Sequence, residues 1–273
     1  MRTPLLVSSL ISVCALFSIV GDATAQVSCQ PGLLATVLPI NPLPGETIFV
    51  RLQNFGFTTY QIPDDCLIRS VHPTSCAQPA IFTASCNPGP FTLGTGSIFI
   101  GAWDQRDDQG VLVAPGTYEF TIPIVGQPDC CVPVTIGPCP NPTPFGNSGA
   151  GTGSFLPTLT GPAPAQVGQP LTLDIQNGLG GAQSLLLIGF TPTDMEVPFG
   201  NLYVDVGLPF LQLALPLQGA SGAPGEGALS LNAAIPNDPT LASLRLYLQV
   251  LILDTGSDGW ISHTPGVELY ICP

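Results

Sequence analysis

The chain has 273 residues, 45% of them apolar, with five arginines, no lysine and a net charge of −13. So few cations cannot neutralise a phosphate backbone or hold an anionic lipid surface, which excludes nucleic acid and disfavours acidic membranes as partners. Charged residues make up only 8% and the apolar share can fill a core, so the 31 glycines and 31 prolines read as turns in an ordered chain.

The first 25 residues read as a secretory signal: Arg2 as a short positive region, an apolar stretch to Gly21, and Ala23 and Ala25 at the recognition positions for cleavage before Gln26. No stop-transfer segment follows, so no membrane span is expected in the mature chain, and the destination is secreted, extracellular or cell-surface. Short apolar runs broken by Gly, Pro, Asn and Asp, without helical periodicity, predict an all-β protein. "GETIFVRLQN" (residues 45–54) alternates strictly, with Ile48, Val50 and Leu52 on one face and Phe49 and Arg51 on the other, as a half-buried strand does. "SIFIGAW" (97–103), a polar turn "DQRDDQG" (104–110), an edge piece "VLVAPG" (111–116) and "TYEFTIPI" (117–124) read as a hairpin. The Pro-, Gly- and Ser-rich run 140–154 reads as a linker. Beyond it "GQPLTLDIQN" (168–177) repeats the first strand without a gap, with Leu171, Leu173 and Ile175 opposed by Thr172 and Asp174. The expectation is two Ig-like β-sandwich domains in tandem after a signal peptide: 1–25 signal, 26–139 a disulfide-rich sandwich, 140–154 linker, 155–273 a second sandwich.

Without Cys14 in the signal, eight cysteines remain: Cys29, Cys66, Cys76, Cys86, Cys130, Cys131, Cys139 and Cys272. An even number in an exported chain reads as disulfides, and no CxxC pair supports zinc. Seven of them precede residue 140, an odd number, so full oxidation within one chain sends Cys272 back to the first module. Cys130 and Cys131 are adjacent and face different partners. Cys139, at the head of the linker, is the expected partner of Cys272, with Cys29 next.

The chemistry these residues offer is thin. "LILDTGSDGW" (251–260) looks like an aspartic-protease loop, but that mechanism needs two aspartates sharing a proton, and one Asp-Thr-Gly occurs. Asp254 is read as a surface turn residue whose replacement by Asn changes stability by under about 1 kcal/mol. No G-x-S-x-G elbow occurs, and His72 and His263 are read as loop residues. A carboxylate pair for a glycosidase-like hydrolase would have to come from Glu46, Glu119, Glu196, Glu226 and Glu268. Asp104, Asp107 and Asp108 could offer oxygens to calcium, although the EF-hand spacing fails, and a capped turn is the simpler reading. Trp103 and Trp260 could stack on sugars, though a tryptophan at a strand end more often packs inward. No catalytic residue, metal or cofactor is expected.

Two resemblances sharpen this. "WDQRDDQGVLVAPGTYEF" (103–120), with Trp-Asp-x-x-Asp, a turn Gly and Pro-Gly-x-Tyr, resembles the flagellar-hook-capping (FlgD-type) Ig-like domains, and is similar to the BsuPI-type proteinase inhibitors. The resemblance spans 33–136, and Gln105 stands where those families usually have Gly. Tyr118 is placed like a tyrosine corner, its hydroxyl reaching back to the backbone. "LLLIGF", "LYVDVG", "AAIPNDPTLASLRLYLQVLILD" and "PGVELYI" resemble, over 143–271, a C-terminal β-sandwich of secreted bacterial proteins of unassigned function. Relatives carry cysteines near Gly149 and Gly200; their joint absence here is what loss of one bridge would leave. The resemblances imply a secreted, non-enzymatic structural or binding module with an extracellular protein or glycan as partner. A carbohydrate-binding protein, a hydrolase and a BsuPI-like inhibitor are the alternatives.

Overall fold

The structure, a computed structural model, describes residues 26–273; the expected signal segment lies outside them. It is all-β. In chain order the first ten strands are β1 (Gln26–Gln30), β2 (Leu33–Leu38), β3 (Ile48–Asn54), β4 (Tyr60–Asp64), β5 (Ser70–Pro73), β6 (Phe82–Thr83), β7 (Pro88–Leu93), β8 (Ile98–Trp103), β9 (Gly116–Ile122) and β10 (Cys130–Ile136). They form sheets ordered β1-β2-β3-β8 and β10-β9-β5-β6, with β4 and β7 as a ribbon. The alternation of β3 does what it implies: Ile48, Val50 and Leu52 are buried together with Phe120, Ile122, Val132 and Val134 in one core, while Phe49 stays exposed.

The hairpin expected around residues 104–110 is not one. β8 pairs with β3 in one sheet, whereas β9 pairs with β10 and β5 in the other, so residues 104–115 arch between the sheets. Trp103 at the end of β8 meets Tyr118 and Phe120 of β9 edge-on, at centroid distances of 5.7 and 5.6 Å, and this aromatic contact spans the core. The edge piece 111–116 reduces to a bridge between Arg106 and Leu112. Tyr118 donates from its hydroxyl to Ala114 O at 2.6 Å, the reach-back that its position promises.

The second sandwich comprises β11 (Thr143–Phe145), β12 (Thr158–Thr160), β13 (Ala165–Gln166), β14 (Pro170–Gly178), β15 (Gln183–Gly189), β16 (Pro192–Val197), β17 (Gly200–Val204), β18 (Phe210–Pro216), β19 (Gly227–Ala234), β20 (Arg245–Leu253), β21 (Ile261–His263) and β22 (Gly266–Cys272). One sheet runs β11-β22-β20-β15-β18, with β13 on β22 and β21 on β20; the facing sheet is β12-β14-β19. Leu173 and Ile175 of β14 and Leu186, Val250, Ile252 and Leu269 of the larger sheet share the core between them. The two matching sequences occupy equivalent places: β3 and β14 are each flanked on both sides, and each follows a glycine at positive φ, Gly45 (87°) and Gly168 (75°). The β16–β17 ribbon lies on the outer face of the larger sheet, where Leu202 and Val204 bury Leu187.

Residues 143–154, linker-like in composition, are built into this second sandwich. β11 pairs with β22, Gly149 bridges His263, and Thr152 bonds Asp254.

Candidate functional site

The densest polar arrangement holds the two sandwiches together. Four disulfides close the chain: Cys29–Cys130, Cys66–Cys86 and Cys76–Cys131 within the first sandwich, and Cys139–Cys272 between its end and the last strand, with Cα–Cα 6.1 Å. Beside this clasp Arg245 of β20 reaches Glu46 of the first sandwich at 2.6 Å and Glu268 of β22 at 2.5 Å, and lies 5.3 Å above the Tyr270 ring. Partial burial disfavours its charge, but the bonds to Glu46 and Glu268 outweigh that and raise its pKa above the usual arginine value. The Tyr270 hydroxyl donates to Pro44 O at 2.9 Å, and burial raises its pKa.

The turn that receives these contacts is held by Gln105. This residue is fully buried at φ 60°, and its amide nitrogen donates to Leu43 O and Glu46 O while its amide oxygen accepts from Gly45 N, all at 2.8 Å. Gln105 therefore shapes the 43–46 turn from the inside. Gln105→Gly should relieve the left-handed strain but take the partner from Gly45 N and Glu46 O and leave Leu43 O only its bond from Glu46 N, and lower stability by about 2 kcal/mol net in urea unfolding. An unchanged midpoint would show that water takes over those bonds.

Gly45, Asp104 and Arg106 of the first sandwich border a cleft of about 410 Å³ between the sandwiches, with Asn237, Ser243 and Pro273 of the second on its far wall. The structure does not gather Asp104, Asp107 and Asp108 around one point. Asp104 caps Arg106 N, Asp107 accepts from Gln109 N and Val111 N, and Asp108 accepts from Thr83 N at 2.9 Å. Among the described residues the groups whose ligand atoms converge are Asp64 with Cys66 and Cys86, and Glu119 with Cys76 and Cys131, where every sulfur is in a disulfide. Millimolar calcium is accordingly expected to leave the melting temperature where it is; an upward shift in a thermal melt would place an ion here by mass action.

Asp254 is not the surface residue that its turn-like neighbours imply. It is 1% exposed, and its carboxylate accepts from Thr152 N at 2.8 Å, Gly256 N at 3.1 Å and the Thr152 hydroxyl. Its own N–H donates to Trp260 O at 2.9 Å. The aspartate ties the 149–155 loop to the end of β20, and nothing in this arrangement pairs it with a second aspartate.

Both histidines are also structural, not loop residues. His72 lies in β5, with Ser70 Oγ 2.7 Å from its Nε2 and Gln78 O 2.7 Å from its Nδ1. That is nucleophile–base spacing, but both side chains are buried between strands and neither lines a cleft described here. His263 ends β21, 2% exposed, with Nδ1 3.0 Å from Thr264 O and 3.3 Å from the amide nitrogen of Gln249. Gly149 and Gly200 face this ring together: a Cβ at either would run into the imidazole. The two positions do lie close, and here the ring of His263 fills the space where side chains from both would meet. Gln249, buried within β20, accepts from Tyr203 N at 2.8 Å and donates to Asn201 O, fastening the β17 ribbon. Its sequence signal is a lone amide within the apolar run from Leu246 to Leu253.

The tryptophans divide. Trp103 is buried and donates from its indole N–H to Arg106 O at 2.9 Å. Trp260 is 69% exposed and holds φ 63°, a conformation rare for a bulky residue, fixed by the bond from Asp254 N. Glu119, Glu226 and Glu46 each accept a backbone N–H, from Cys76, Ala220 and Leu43, and Glu46 and Glu268 share Arg245.

No protein-family model matches the chain, and no curated protein matches it. Among solved structures it is similar to a red sea bream transglutaminase, at 11% identity over 89% of this chain and 31% of that one, with a TM-score of 0.27. It is similar to the Escherichia coli alpha-2-macroglobulin, at 12% identity over 89% of this chain and 14% of that one, also 0.27. A tetra-tandem repeat from the extending region of a large adhesion protein aligns at 11% identity over 90% of this chain and 50% of that one, at 0.25. The chain thus spans half or less of each, and likenesses at these scores assign it no activity.

Proposed function

We propose that the protein is a secreted, non-enzymatic structural or binding module of the cell exterior, in which two Ig-like sandwiches act as one stiff unit. The observation that carries this reading is the clasp: the Cys139–Cys272 bridge, the Arg245 pair with Glu46 and Glu268, and the Tyr270–Pro44 bond. Further support is that the buried polar groups which might do chemistry, Asp254, His72 and His263, are engaged with neighbouring backbone and side chains. The disulfides fit an oxidising compartment, and among the described residues no helix is long and apolar enough to cross a membrane. The test is saturable binding of the labelled mature chain to the envelope of its own cells, alongside turnover assays on peptide, ester and glycoside substrates. Binding without turnover is expected. Turnover that disappears in Ser70→Ala or His72→Ala would sink the reading in favour of a hydrolase, and equimolar inhibition of a secreted protease would favour the BsuPI-like alternative.

A second reading has its own observation. Trp260 offers an exposed indole on a backbone tied to Asp254 N, a surface on which a pyranose ring can stack. If the partner is a glycan, Trp260→Ala should weaken binding at least tenfold in a glycan array or titration while leaving the melting temperature nearly unchanged; equal binding by the variant excludes this site.

A further inference from the structure

β18 is the open end of the larger sheet. Among the described residues it pairs only with β15, from Gln183↔Pro216 to Gly189↔Phe210. Leu217 N donates to Ala182 O at 2.9 Å, which sets the parity of the ladder. Leu211, Leu213 and Leu215 exchange bonds with β15, and Phe210, Gln212 and Ala214 aim N–H and C=O outward. Pro216 shares the outward parity, the position at which an edge strand tolerates proline. The inner face of the strand is also uncovered. Leu211 and Leu213 lie on the core side beside Ile188 and Leu186, yet are 54% and 37% exposed. Just past the end of β18, Gln218 bridges Ala228 of β19, and an apolar cleft of about 650 Å³, bordered by Ile188, Phe190, Phe210, Leu211 and Ile235, opens beside the strand.

Proteins blunt such edges with charge, bulges or a covering segment. Here the strand has none: from Val206 to Asn237 the only ionisable side chain is Glu226, which accepts from Ala220 N. In a chain of net charge −13 this edge is one that a second copy can approach with little like-charge repulsion.

We propose that β18 is a self-association edge, pairing antiparallel with β18 of a second copy about a two-fold axis at Gln212. In that register the outward groups of Phe210 meet those of the copy's Ala214, and Gln212 meets its own counterpart, so every outward N–H finds a carbonyl. Pro216 falls beyond the ladder. Leu211 lies opposite the copy's Leu213, which covers the exposed inner row. Gln212, the sole polar side chain of the strand, sits on the axis, where the two amides can bond each other. The contact is isologous and closes, so it yields a dimer and not a fibre.

Sedimentation equilibrium of the mature chain should show a monomer–dimer equilibrium. Gln212→Pro removes an N–H that β15 does not use, so it should give monomer at every concentration with the wild-type melting temperature. Leu213→Lys, which points a charge into the covered row, should also be monomeric. If Gln212→Pro fails to fold, the double variant Leu211→Cys/Leu213→Cys decides: mild oxidation should give a covalent dimer by mass. A wild-type chain that stays monomeric at every concentration overturns the proposal. So does a dimer that persists in Gln212→Pro, or an edge that pairs with an extended apolar peptide but not with a second copy.

Discussion

Replacing Cys139 and Cys272 together by serine is expected to lower the unfolding free energy of the second sandwich by about 4 kcal/mol. The bridge spans a sequence separation of 133 residues that includes the whole of that sandwich. Loop-closure entropy over such a length assigns about 5 kcal/mol, of which native-state relaxation takes back a part. What remains to hold the last strand near the first sandwich is the Tyr270–Pro44 bond and the Arg245 contact with Glu46, of which the exposed ion pair contributes little. Urea unfolding followed by fluorescence measures this, because Trp103 reports on the first sandwich and Trp260 on the second. The Trp260 transition should move to lower urea and separate from that of Trp103. Coincident transitions at the wild-type midpoint would mean that the bridge adds nothing to the non-covalent contacts.

Asp254→Asn is expected to cost about 2–3 kcal/mol, in place of the small change a surface turn would show. One amide can mimic one carboxylate oxygen only. Whichever way it is turned, its NH₂ faces either Thr152 N–H or Gly256 N–H, donor against donor, in a site that excludes water. Hydrogen bonds to a charged acceptor are also the stronger kind. Because Asp254 N–H bonds Trp260 O, local loosening should appear first as faster exchange of amide protons in residues 149–155 and 257–260. A midpoint within error of wild type would show that the loop is held by its backbone alone.

The sequence discloses faces more readily than partners. The alternation in β3 and β14 predicts which side chains are buried, since a period of two leaves no other arrangement with one dry face. It cannot say that β8 and β9 belong to different sheets, because a strand facing its neighbour along the sheet and one facing it across the core carry the same pattern. The cysteine count shows that a link must cross the modules, which is arithmetic, while the pairings inside the first sandwich depend on where strands lie in space. Asp254, Gln105 and His263 were illegible for one shared reason. Asp, Gln and His among polar, turn-forming neighbours read as turn residues, and only the approach of distant segments, Thr152 to Asp254 and Leu43 to Gln105, turns them into buried acceptors and donors. The 143–154 run shows the converse: its composition is that of a tether, and its backbone bonds are those of a sheet.

The order of the cysteines constrains how the chain can be oxidised. Taken from the N-terminus as the chain emerges, neighbouring thiols would join Cys29 to Cys66, Cys76 to Cys86 and Cys130 to Cys131. None of these is found, and the Cys66–Cys86 and Cys76–Cys131 bridges overlap along the sequence. An oxidant that joined each thiol to the next to emerge would therefore trap wrong pairs, which thiol–disulfide exchange would have to reopen before the first sandwich could close. Among the described residues Cys139–Cys272 is the one bridge between cysteines consecutive in sequence, yet Cys272 emerges only after every thiol of the first sandwich. Until then Cys139 is a spare nucleophile beside the unfinished first sandwich, suited to reopening wrong bridges there before the final strand closes it off.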